Sequence, residues 1–93
     1  MIVSFKDKRT EAVAHGRQPK GFPSDLLKVA RRKLQMIEAA PTLETLKVPP
    51  GNNLHALKDD RAGQHVIRVN DQFRICFRWT DSGPADVEMT DYH

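Results

Sequence analysis

Phe73-Arg74-Ile75-Cys76-Phe77-Arg78-Trp79-Thr80 decides the fold. Phe73, Ile75, Phe77 and Trp79 alternate with Arg74, Cys76, Arg78 and Thr80, and a period of two resolves into separate faces only on a β-strand. One face is apolar and the other carries two arginines. His65–Val69 reads as the preceding strand, with Asn70-Asp71-Gln72 as the hairpin turn. Asp81-Ser82-Gly83-Pro84 reads as the next turn and Ala85–Thr90 as a last strand. Met1–Phe5 reads as a further short strand.

Upstream of Gly51 the period changes. Leu26, Ala30, Leu34 and Ile37 recur at helical spacing, with Leu27, Val29 and Met36 widening the stripe. Lys8–His15 predicts a brief helix stopped at Gly16, and Gly16, Pro19, Gly21 and Pro23 mark a loop. Ser24 has the hydroxyl of an N-cap, and Asp25 suits the positive end of the helix dipole. Pro41 ends this helix, and Thr42–Leu46 adds one turn. Two or three N-terminal helices followed by a mainly antiparallel sheet predict an α+β domain, with the helices packed on one sheet face. The other face is expected to be open as the active site.

The 93 residues suffice for one domain, and 39% hydrophobic with 29% charged residues is a globular composition. No apolar run approaches a bilayer span. Met1-Ile2-Val3-Ser4-Phe5-Lys6-Asp7 has no basic region leading into an apolar one, so a cytoplasmic chain is expected. A single cysteine, Cys76, excludes an intramolecular disulfide. The net charge of +3 hides a split: residues 1–34 carry nine Lys/Arg against three acids, and residues 35–93 six against nine. A basic region of this kind suits either a polyanionic partner or a solvated, screened face.

Several polar residues of the second half fall where chemistry needs them. If Phe73 and Ile75 face the core, Arg74 lies on the open side. In Leu54-His55-Ala56-Leu57-Lys58 the leucines anchor the segment while His55 and Lys58 reach outward. The chain closes with Asp91-Tyr92-His93. Taken singly, each residue has a bland structural reading. Together, Arg74 and Lys58 suit a phosphate, and His55 and His93 suit proton transfer, because imidazole titrates near neutrality. Tyr92 suits base stacking, and Asp91 the orientation of a histidine or ribose. The four histidines are scattered, so no metal site and no cofactor is expected. The set points to metal-free RNA cleavage: the ribose 2′-OH attacks phosphorus, cations hold the phosphorane, and an acid protonates the leaving 5′-oxygen.

These residues carry a resemblance. Ala30-Arg31-Arg32-Lys33-Leu34, Pro49-Pro50-Gly51-Asn52, Leu57-Lys58-Asp59-Asp60-Arg61-Ala62-Gly63-Gln64, Ile67-Arg68-Val69-Asn70-Asp71-Gln72, Asp86-Val87-Glu88 and the closing Asp91-Tyr92-His93 resemble the HigB-type toxins, or plasmid-maintenance killer proteins. These belong to the RelE/ParE superfamily of bacterial toxin–antitoxin systems. The resemblance covers residues 1–93 as a single RelE/HigB-like toxin domain. It implies a toxin that enters the ribosomal A site and cuts mRNA, restrained by a HigA-type helix-turn-helix antitoxin through which alone it reaches operator DNA. It implies active-site roles for His55, Lys58, Arg74, Asp91, Tyr92 and His93, with no membrane involvement. Arg31, Arg32 and Lys33, together with Lys6, Lys8 and Arg9, are then expected to hold ribosomal RNA.

Two departures from the family pattern stand out. Asp59 replaces a frequent Gly within a Leu-Lys-Gly-Asp-Arg run, adding a negative charge beside Lys58 and losing freedom at positive φ. His65 stands where an aromatic, commonly Tyr, is usual; His55 itself varies among relatives, some of which have an acid there. Two other readings compete: a ParE-like, non-enzymatic inhibitor of DNA gyrase, and a weakened toxin acting mainly as an antitoxin-binding corepressor.

Overall fold

A computed structural model describes residues 1–91. Two helices, α1 (Lys8–Ala14) and α2 (Ser24–Ala39), precede four strands: β1 (His55–Ala56), β2 (His65–Arg68), β3 (Phe73–Thr80) and β4 (Gly83–Asp91). Short 3₁₀ turns at Leu43–Lys47, Pro50–Asn52 and Asp59–Arg61 connect them. The sheet runs β1-β2-β3-β4 with every neighbour antiparallel. Helices on one side of an antiparallel sheet make the α+β layering that the sequence predicts.

The helical stripe is buried as the spacing requires. Leu26, Ala30, Leu34 and Ile37 of α2 join Val13 of α1 in one cluster with Ile67, Ile75, Phe77, Val87 and Met89 of the sheet. Ile75 and Phe77 are fully enclosed, so the apolar face of β3 is the floor of the core. Asp7 caps α1, its Oδ1 accepting the Thr10 amide at 2.6 Å. Ser24 does not cap α2. Pro23 supplies the extended entry (φ −62°, ψ 131°) and the first helical acceptor, with Leu27 N–H donating to its carbonyl at 3.1 Å. Ser24 becomes the first helical residue, and its hydroxyl accepts from Gln18 Nε2 at 3.2 Å.

The β2–β3 hairpin turns on an Asx-type anchor: Asn70 Oδ1 accepts the amides of Gln72 and Phe73 at 2.9 and 2.7 Å. The N-terminal segment contributes less than a strand. It makes a single parallel bridge, Phe5 with Val87, and lies along the outer edge of β4. Val3 N–H donates to Pro84 O (2.7 Å), Val87 N–H to Ser4 O (3.1 Å), and Lys6 N–H to Val87 O (2.9 Å). Side chains finish that edge: Ser4 Oγ accepts the Asp86 amide at 2.9 Å and the buried Thr10 hydroxyl accepts the Met89 amide at 3.0 Å. Gly83 takes φ 125°, and a Cβ there would also run into the Met1 carbonyl, so both backbone and space require glycine.

A β-bulge interrupts β4. Cys76 pairs with Glu88 and Arg78 with Ala85, so Asp86 and Val87 together oppose Phe77. Asp86 takes φ 53° at this irregularity, and its carboxylate lies 3.6 Å from Arg78 Nε. The bulge brings Pro84 to the core side with Val87 although the two are three residues apart.

Candidate active site

Cross-strand register places the polar residues away from the helices. Arg68, Arg74 and Thr90 form one row across β2, β3 and β4; His55, Val66, Cys76 and Glu88 form the adjacent row. Arg74 is half-buried, and its Nε donates to Thr90 Oγ1 at 3.3 Å. Arg68 stands directly opposite it and is ion-paired with Asp71. The two arginines stand in cross-strand register and form a strip of two guanidinium groups, of which Arg68 already holds Asp71 as its counter-ion. Arg68 is a member the sequence reading missed, although counting outward from the hairpin turn pairs it with Arg74.

The face is not open throughout. Val66 and Cys76 point away from the helices yet are 1% and 0% exposed. Their cover is the segment between β1 and β2. Arg61 donates from there to Glu88 Oε1 on β4 at 2.9 Å and to Gln64 Oε1 at 3.1 Å, crossing the Val66–Cys76 row. A Cβ on Gly63 would lie 3.7 Å from Arg78 Nη1, which puts this segment over β3. The hydrogen bond to Glu88 holds the Arg61 guanidinium above its usual pKa, against the opposing effect of burial. The expected open face is therefore half roofed; the Arg68–Arg74–Thr90 row stays partly accessible on one side of the roofed row, and Arg78 is exposed on the other.

His55 lies on β1 with its ring exposed. Its Nδ1 is 2.7 Å from the carbonyl oxygen of Asn53, a partner that can only accept, so Nδ1 donates. In the neutral ring the lone pair is then on Nε2, the nitrogen left to exchange a proton. Lys58 is exposed at the entry to the Asp59–Arg61 turn. Asp59, one residue on, adopts φ 56°, the conformation that suits the family's glycine.

Asp91 is paired with Phe73, a residue packed against the core, and so occupies the opposite pleat from Arg74. Its carboxylate accepts from Gln72 Nε2 at 3.4 Å at the end of the sheet. Tyr92 and His93 lie outside the described residues.

The expected basic surface loses one member and divides. Lys33 is only 7% exposed, and its Nζ donates to Asn52 Oδ1 at 2.6 Å, because its position on α2 falls on the buried side beside Leu34. Burial pushes the Lys33 ammonium below its ordinary pKa, with Arg32 and then Arg68 adding to the effect. Asn52, wholly buried, returns its own amide to Leu46 O at 3.2 Å and thereby pins the loop before β1. Arg31 and Arg32 line a groove on the outer side of α2 together with Lys28 and Leu27. Lys6, Lys8 and Arg9 lie exposed at the start of α1, where Arg9 Nη2 also reaches Met89 O at 3.5 Å.

Among the described residues no group of three or more His, Cys, Asp or Glu could hold a metal ion, and no helix is long and apolar enough to cross a membrane.

The family described as "RelE-like toxin of type II toxin-antitoxin system HigB" matches residues 3–93. Toxin HigB-1 of Vibrio cholerae serotype O1 is 35% identical over 82 residues, 87% of this chain and 86% of that protein. An uncharacterized protein of Haemophilus influenzae is 38% identical over 61 residues, 66% of this chain and 60% of that protein. A toxin of such a system has an antitoxin as its partner, and the chain, with its α+β layering and near-complete match, belongs to the HigB family of RelE-like toxins.

Proposed function

We propose that residues 1–93 form a single toxin domain that cleaves translated mRNA in the ribosomal A site and so arrests translation. The observation that carries this reading is the in-register Arg68–Arg74 pair beside Thr90 on the accessible half of the sheet. Such a strip suits a phosphodiester. Arg74, together with Lys58 from the neighbouring turn, neutralises the scissile phosphate and the phosphorane that forms from it. A histidine removes the ribose 2′-OH proton as the oxygen attacks phosphorus. The P–O5′ bond then breaks, a second group acting as acid protonates the leaving 5′-oxygen, and a 2′,3′-cyclic phosphate remains. His55 is tautomerically prepared for one of these transfers through Nε2. His93 is assigned to the other, Tyr92 to stacking on a base, and Asp91 to orientation.

The roles beyond the chemistry follow from charge and family. Arg31 and Arg32 on α2, and Lys6, Lys8 and Arg9 near α1, bind ribosomal RNA; Lys33 does not, being committed to Asn52. The ribosome supplies the substrate orientation that so small a cationic strip lacks. The toxin acts in the cytoplasm, is neutralised by a HigA-type helix-turn-helix antitoxin, and meets operator DNA only through it.

Mapping mRNA 5′ ends after induction tests the reading. New ends within translated codons are expected, and they should vanish in Arg74→Ala and His93→Gln. Growth arrest with intact mRNA and accumulating DNA breaks would overturn it in favour of gyrase poisoning.

A further inference from the structure

We propose that the Arg61–Glu88 ion pair is a clasp that positions Lys58, making Arg61 and Glu88 positioning residues for the cleavage reaction. The inference rests on the reading of Lys58 as a phosphate ligand.

The segment from Leu57 to Gln64 has little else to hold it. No residue of its Asp59–Arg61 turn is buried, Ala62 and Gly63 are exposed, and Leu57 is only half-buried. Its backbone closes on itself, Leu57 N–H donating to Gln64 O at 2.9 Å and Gln64 N–H to Arg61 O at 3.0 Å. Its base is rooted in the sheet by the Ala56–His65 pair, and the turn beyond that base is left to be held down over the sheet face. The Arg61–Glu88 contact supplies that hold, because it ties the loop to a strand three positions across the sheet. The pair is partly shielded, with Arg61 34% and Glu88 18% exposed at the side chain, so it is less screened than a surface pair.

Two consequences reach the site. First, the loop covers Val66 and Cys76, keeping water off the row beside Arg74. Second, Lys58 enters the same turn whose last residue is Arg61, so fixing Arg61 fixes where the Lys58 stem departs. Glu88 also cancels the Arg61 charge. The clasp therefore adds no cation of its own to the phosphate strip, and a direct phosphate contact by Arg61 would require the pair to open.

The test uses the full chain with mRNA-programmed ribosomes. Arg61→Met is expected to lower kcat at least 10-fold with KM within about threefold, while circular dichroism still reports a folded protein. The charge-reversed double variant Arg61→Glu/Glu88→Arg is expected to recover cleavage to within about threefold of the parent. Amide exchange at Leu57 and Gln64 should quicken in Arg61→Met and slow again in the double variant, a readout independent of cleavage. If Arg61→Met does not fold, Glu88→Gln serves as the milder break and should show the same kcat loss. Parental cleavage in the single variants, unchanged exchange, or a double variant no better than the single overturns the clasp; the last result would mean that Arg61 touches substrate itself. Lys58→Ala separates the two levels. Parental cleavage in that variant overturns the functional reading of Lys58, whereas loss there beside parental cleavage in Arg61→Met overturns the clasp alone.

Discussion

On the helix side of β3, Ile75 and Phe77 are fully buried in one cluster with Ala30, Leu34 and Ile37; on the other side, Arg74 is half-buried and Arg78 exposed. The first face is redundant. It is made of many apolar contacts, each small, and losing one leaves the layer order intact. The second face is sparse. Apart from the roofed Val66 and Cys76, it consists of a few polar and charged groups whose placement depends on register, so on the proposed reading each change acts locally and on function. On the proposed reading, stability and activity are separated by alternate residues of a single strand.

The sharpest test of that separation pairs Phe77 with Arg74. Phe77→Ala is expected to cost about 3–5 kcal/mol of unfolding free energy, measured by chemical denaturation, as an aromatic is removed from a closed core. Arg74→Ala is expected to cost about 1 kcal/mol, through its bond to Thr90, while cleavage falls about 100-fold or more. Equal stability losses for the two would erase the contrast between the faces.

Lys33 probes the boundary, being a charge placed on the core side. Lys33→Met leaves Asn52 Oδ1 buried without its donor and is expected to destabilise by about 1–3 kcal/mol. Folding lowers the Lys33 pKa, so the unfolded chain holds that proton more tightly. The resulting penalty is fully present below the folded-state pKa and is relieved as pH rises from there towards 10.5. Denaturation midpoints across the alkaline range should therefore carry a rising component that Lys33→Met lacks; identical profiles would contradict the burial. The smallest effect is expected at the rim. Asp59→Gly removes an acid from a φ of 56° and should raise stability by about 1 kcal/mol, with an unchanged midpoint meaning that the aspartate offsets its own strain.

What was legible in the sequence was whatever depends on period. Alternation marked β3 and its apolar face, and helical spacing marked the buried stripe of α2. Properties decided by tertiary closure were not legible. Val66 and Cys76 lie on the polar side of the sheet yet are roofed by a loop whose clasp joins residues 27 apart in the chain. Lys33 read as one of three adjacent surface cations, but the rotation of α2 turned it inward. Asp91 ends β4 on the pleat opposite Arg74, a placement that chemistry alone does not give. Arg68 was overlooked because its importance lies in what it faces. Ser24 lost the cap to Pro23 because a proline carbonyl serves as well as any to begin a helix.

The outer edge of β4 has a consequence for how copies of this chain behave towards one another. From Pro84 to Met89 its hydrogen-bonding groups are taken by Val3, Ser4, Lys6, Arg9 and Thr10. The opposite edge of the sheet, β1, is two residues long. A sheet with one margin sealed by its own N-terminal segment and the other too short to template a new strand resists edge-to-edge aggregation. Stripping Ser4 and Thr10 of their hydroxyls would free only the Asp86 and Met89 amides, because the backbone bonds of Val3, Ser4 and Lys6 still cover the rest of that margin.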